Sequence, residues 1–185
     1  MGESRNRVAG AYALTTFAPI IPGHEEELLA YIEGLPTAAA SPLARLDTLH
    51  LSRIQIFDHL VHQGPDHKLD ELQSNWLVFT SSFDGELDDY LDLICDRIPD
   101  EADGWWSHCV GYPGTADRAA FKAWIKVHQR HTHLFASAYH GGTVAKVREG
   151  LALRDQLVDF AAEAQGLDAA ELKERFLSTF AKAGR

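Results

Sequence analysis

The sequence predicts an α+β fold: a ferredoxin-like antiparallel sheet, in the order β-α-β-β-α-β, with extra helices toward the C-terminal end. Three observations predict it. Short runs rich in aromatic and β-branched residues recur near Tyr12–Ala18, Leu49–Phe57 and Trp76–Thr80, bounded by Pro, Gly and Ser. Apolar stripes of helical period follow the first and the third of these runs. Between Asn75 and Ile98 one strand feeds straight into one amphipathic helix, and the rest of the chain supplies partners for both.

Residues 1–10 read as a frayed terminus. The first strand is broken by Pro19, Pro22 and Gly23, and a helix follows from about His24 to Leu35 with Leu28, Tyr31, Ile32 and Leu35 on its apolar side. The second strand alternates unusually. His50, Ser52, Ile54 and Ile56 point one way and Leu51, Arg53, Gln55 and Phe57 the other, so neither face is purely apolar and one is expected to border a pocket. A polar, histidine-bearing connection, Asp58 to Ser74, turns at Gly64-Pro65. After Trp76–Thr80 the segment Ser81–Gly85 reads as a turn. Asp84 then stands as N-cap of a helix carrying Leu87, Tyr90, Leu91, Ile94 and Ile98. Pro99 to Gly104 ends that helix, and Gly104 to Gly114 forms an aromatic, glycine-rich strand or loop.

A third helix, about Asp117 to Arg130, places Phe121, Trp124, Ile125 and His128 on one face. His133 to Tyr139 reads as the remaining strand. Thr143 caps a long helix burying Val144, Val147, Leu151, Leu157, Val158 and Ala161. Gly166 closes it, and Asp168-Ala169-Ala170-Glu171 opens the last helix as a capping box. One domain spans residues 1–185, with 166–185 as a C-terminal helical extension. The sheet face away from the helices needs a cover, either the extra helices or a second subunit; a homodimer would close it as a dimeric α+β barrel.

A net charge of −10 leaves no broad basic footprint for nucleic acid or an anionic membrane. No apolar run reaches transmembrane length, and the polar N-terminus shows no secretory signal, so the expected location is cytoplasmic. Cys95 and Cys109 are too few for a disulfide framework and read as reduced thiols.

Several side chains could carry chemistry. His128 lies on an apolar helical stripe beside Trp124, where an imidazole could hold a metal or move a proton; the alternative is a core histidine bonded to a neighbour. Arg53 on a sheet face needs a carboxylate, either an anionic ligand or an internal partner such as Asp84. His50 points away from Arg53 on a regular strand and joins it only across a β-bulge or a strand end. Asp84 is a helix cap or an acid. Trp106 and Tyr112 offer flat pocket walls and His108 a polar contact, or together they plug the core. His128 with His131, and His59 with His62 and His67, are looser metal candidates.

Leu49-His50-Leu51-Ser52-Arg53, Phe83-Asp84-Gly85 and Trp106-Ser107-His108-Cys109-Val110-Gly111-Tyr112-Pro113-Gly114 together resemble a bacterial family of uncharacterised proteins loosely associated with DyP-type haem peroxidases. Those peroxidases have ferredoxin-like halves and a Gly-x-x-Asp-Gly motif; here the pentapeptide is Ser81-Ser82-Phe83-Asp84-Gly85. The resemblance implies a haem-associated or related oxidoreductase acting on a small, largely apolar molecule. His128 would be the haem-iron ligand or the acid/base, Asp84 a distal acid, and His50 a further catalytic candidate. Arg53 would hold a propionate or substrate carboxylate, and Trp106, His108 and Tyr112 would line the pocket. The alternative is a non-catalytic small-molecule-binding or assembly protein whose histidines are structural.

Overall fold

A computed structural model describes residues 5–60 and 71–180. The chain divides into two compact units, Met1–Val144 and Ala145–Arg185. The first holds a four-stranded antiparallel sheet of order β1-β2-β4-β3, made of β1 (Arg7–Val8), β2 (Ala11–Pro19), β3 (Leu49–His59) and β4 (Glu71–Asp84). Its helices are α1 (Glu25–Gly34), α2 (Leu87–Arg97), α3 (Pro99–Trp106) and α4 (Arg118–His128). The α+β class is therefore observed.

Alternation in β2 decides which side is the core. Tyr12, Leu14, Thr16 and Ala18 are buried, while Ala11, Ala13, Thr15 and Phe17 stay half-covered. On β4 the inward row is Leu77, Phe79, Ser81 and Phe83, which β3 meets with Ile56, Ile54, Ser52 and Leu49. Onto this row pack Leu28, Tyr90, Leu91, Ile94, Phe121, Ile125 and both tryptophans of α3. Trp106 is completely buried, with its ring centroid 5.1 Å from that of Phe79 and 5.5 Å from that of Phe121.

Four expectations are corrected. Arg7–Val8 is not frayed: it forms a hairpin with Ala11–Tyr12 through Ala9-Gly10, whose φ values of 52° and 90° are the paired positive angles of a tight two-residue turn. Ser81–Asp84 continues β4 rather than turning. It is an interior strand, paired on both sides, and ladder bonds outweigh the turn preference of two serines. Gly104-Trp105-Trp106 belongs to helix α3, started by Pro99 at its first turn with Asp100 and Glu101 beside it. Gly104 is small because Tyr31 of α1 crosses there; a Cβ would run into the ring and hydroxyl of Tyr31.

The fourth correction concerns the sheet edge. His133–Tyr139 forms no strand. The outer edge of β2 is already occupied by three short pieces. These are β1, then Gln129-Arg130 (bridged at Thr16, with the Arg130 N–H donating to Thr15 O at 2.8 Å), then Cys109-Val110 at Pro19 and Ile20. These pieces lie along the edge where a further strand would pair.

The second unit is a hairpin of α5 (Val144–Glu163, its first residue lying in the first unit) and α6 (Ala169–Phe180). Asp168 caps α6 by accepting from the Ala170 and Glu171 amides, as its sequence predicts. Phe160, Phe176 and Phe180 form a cluster with centroids 5.0–5.7 Å apart. Val147, Leu151, Leu157 and Val158, expected to be buried, remain about half exposed. Two helices alone cannot enclose a stripe on each. No helix among the described residues is long and apolar enough to cross a membrane.

Candidate functional site

All four described helices of the first unit serve the inward face, which leaves the outward face of the sheet free of them. Its rows are Ala13, Thr15 and Phe17 on β2, then Trp76, Val78, Thr80, Ser82 and Asp84 on β4, then Leu51, Arg53, Gln55 and Phe57 on β3. The pattern along these rows is graded from an apolar end to a polar one.

At one end Phe17, Phe57, Leu60, Leu72, Trp76 and Arg130 line a hollow of about 290 Å³. Phe57 lies directly opposite Trp76, and the Phe17 and Phe57 rings are 6.5 Å apart. In the middle, a second hollow of about 480 Å³ is floored by Ala13, Thr15, Thr80 and Ser82 and walled by Leu51 and Arg53. Arg53 is paired in register with Thr80 and exposed. Among the described residues its guanidinium makes no hydrogen bond or ion pair. The internal salt bridge with Asp84 considered from the sequence is therefore not made.

Asp84 instead sits at the polar end with two other partners. Its Oδ1 is 2.8 Å from His50 Nε2, and its Oδ2 accepts from the Val144 N–H at 2.7 Å. It is not the N-cap of α2, whose cap position is Glu86; its carboxylate meets the first amide of α5. The ladder slips between Leu49 and Leu51, a bulge at His50. That bulge lets His50 reach a carboxylate on the outward row although its neighbours alternate normally. Arg53, His50 and Asp84 are thus brought to one face. The distance is substantial: Thr80, opposite Arg53, lies four residues from Asp84, or about 13 Å along the strand.

The other sequence candidates lie elsewhere. Trp106 is inside the core on the helical side of the sheet, so the sheet itself separates it from Arg53. It walls no described cavity, because a fully enclosed indole among Phe79, Trp105 and Phe121 has no free face to offer. His128 packs with its ring tilted against Trp124 (centroids 4.2 Å apart) and its Nδ1 lies 2.8 Å from the Trp124 carbonyl. Tyr112 donates to Asp103 Oδ1 at 2.6 Å; its pKa is raised by burial and by that neighbouring carboxylate. His108 faces His24, not the sheet hollow. His62 and His67, with Gly64-Pro65, lie outside the described residues, and His59 pairs with Asp58. Cys109 is buried, and burial pushes its thiol up to about 12, which leaves no thiolate near neutrality.

A haem held by His128 with Arg53 on a propionate would need both side chains around one cavity. His128 borders neither hollow of the outward face, and the partners it does meet are on the helical side. The described residues do not fit that arrangement.

Sequence reasoning missed Trp76, Phe17 and Phe57 as one aromatic patch. The signal was present: with the strand pairing in hand, odd positions of β3 fall opposite even positions of β4. The pairing itself has no local signature. Compared with models of protein families, with curated proteins and with solved structures, the chain finds no match.

Proposed function

We propose that the protein binds a small amphipathic anion along the outward face of its sheet. The observation that carries this is Arg53: an always-charged group on an open β-face, without a carboxylate partner among the described residues, flanked by hydroxyls and an aromatic hollow. A carboxylate or phosphate would complete the fork of the guanidinium, with Thr15, Thr80 and Ser82 able to donate alongside. Four residues along β3 at 3.3–3.4 Å each set Phe57 about 13 Å from Arg53, so the apolar body of an elongated ligand reaches the Phe17–Phe57–Trp76 hollow. Decanoate is a suitable probe, titrated by calorimetry. Wild-type protein should bind it, Arg53→Gln should bind it at least roughly tenfold more weakly, as expected when an anion loses a charge-assisted pair, and decanol should resemble the variant. Equal affinity of both proteins for decanoate would remove the reading.

His50, held by Asp84 at the margin of the same face, favours a second reading in which the bound molecule is turned over by acid–base chemistry, with imidazole as proton carrier. Loss of turnover in His50→Gln with unchanged binding would support it; equal turnover would exclude it. The β2-β4-β3 order with helices on one side supports a ferredoxin-like lineage whose fourth edge strand is replaced by three short segments. In that reading a second copy closing the open face yields the dimeric barrel. Light scattering reads this directly, and a monomer at micromolar concentration would count against it.

A further inference from the structure

We infer that His24, Glu27 and His108 form a binding site for a first-row divalent cation of the zinc class, independent of the sheet-face site. Their ligand atoms all lie within 4.8 Å of one another, and the two imidazole Nδ1 atoms are 3.2 Å apart. Two donors on a tetrahedral zinc at 2.0–2.1 Å lie about 3.3–3.4 Å from each other, so the two histidines already stand at ligand spacing. Glu27 is one helical turn beyond His24, on the same side of α1, and is exposed, with a carboxylate oxygen already within 4.8 Å of the ligand atoms of both histidines.

The backbone holds both imidazoles from one short rail. Ile21 N–H donates to His108 O at 2.9 Å, His24 N–H donates to Ile21 O at 3.0 Å, and Val110 N–H donates to Pro19 O at 2.9 Å. Ile20 and Cys109, bridged to each other, lie buried beside the pair. The neighbouring Glu25 is engaged elsewhere, on Gly23 N and Asn75 Nδ2, which leaves Glu27 as the carboxylate at hand. A preorganised imidazole pair with one mobile carboxylate on a strongly acidic protein suits a borderline cation better than calcium or magnesium, which prefer all-oxygen sets. Three protein donors leave one tetrahedral position for water.

The test uses Co²⁺ on the full, EDTA-stripped chain. Wild type should bind one Co²⁺ tightly, with the visible absorption of a tetrahedral ion, and zinc should displace it. The melting temperature should rise with metal concentration. The double variant His24→Ala/His108→Ala should lose the spectrum and the metal-dependent rise. Glu27→Gln should weaken binding by roughly 10-fold or more, since even outer partners of metal ligands are worth 10–100-fold. Melting without metal shows whether each variant folds; for a double variant that does not, His108→Asn is read in its place. An identical cobalt spectrum and affinity in wild type and the folded variant would overturn the site, as would absence of tight binding to wild type. Decanoate binding is measured separately, so either result stands without the other.

Discussion

Replacing Asp103 by Ala should be among the most damaging single changes away from the aromatic core. Its carboxylate gathers three donors: Tyr112 hydroxyl at 2.6 Å, Thr115 N–H at 2.9 Å and Thr115 Oγ1 at 3.1 Å. Thr115 is buried, so truncation leaves its N–H and hydroxyl without a partner or bulk water. Hydrogen bonds to a charged acceptor contribute about 1.5–3 kcal/mol each, and an orphaned buried group costs about 1–3 kcal/mol. The three share one acceptor and do not add, which places the loss near 3–5 kcal/mol. Tyr112 also packs edge-on against Trp124, with centroids 5.2 Å apart, so the whole stretch from α3 to α4 loosens with it. Asp103→Asn keeps an oxygen for Tyr112 and the Thr115 amide, and the Thr115 hydroxyl can turn to accept; its cost should be about 1 kcal/mol. Urea unfolding with an unchanged slope measures both. An Ala variant within about 1 kcal/mol of wild type, or an Asn variant as weak as Ala, would refute the reasoning.

Three further outcomes follow from the packing and from the buried acids. Gly104→Ala should destabilise by about 1 kcal/mol or more, although alanine is the better helix former, because the new methyl meets the Tyr31 ring. Combined with Tyr31→Leu the same change should become neutral or stabilising, and a double-mutant cycle showing no coupling would contradict the contact. Stability should fall at alkaline pH. The Cys109 thiol and the Tyr90 and Tyr112 phenols have folded pKa values raised chiefly by burial. Their unfolded forms release protons first. Stability is therefore full below about pH 8.5, the ordinary thiol value, and is lost as pH rises toward the folded values. Melting temperatures at neutral and alkaline pH check this, and Cys109→Ala should remove part of the slope. At pH 8, Cys109 should resist iodoacetamide until the protein is unfolded.

Much of the sheet was legible because aromatic and β-branched composition between Pro, Gly and Ser is a local signal. The runs Tyr12–Ala18 and Trp76–Thr80 lie within β2 and β4. Leu28 and the Phe121–Ile125 face were legible from apolar spacing at helical period. What failed depended on partners distant in sequence. His133–Tyr139 has a strand's composition, yet the edge it would join is taken by segments around residues 7, 109 and 129. Trp106 looks like a pocket wall in isolation, and only the arrival of Phe79 and Phe121 encloses it. Gly104 hid a helix because its reason for being glycine, the Tyr31 ring, lies on another helix. His24 and His108 are 84 residues apart, and no spacing rule joins them. For His50 and Arg53 the sequence required a bulge or a strand end before both could serve one face, and the ladder has a bulge at His50.

Backbone amide shift mapping with decanoate addresses the sheet-face site most directly. Perturbations should cluster on the outward row, at Thr15, Leu51, Arg53, Phe57, Trp76, Thr80 and Ser82, and should collapse in Arg53→Gln. Shifts confined to the helical side around Phe121, Trp124 and His128, with the outward row unmoved, would contradict it.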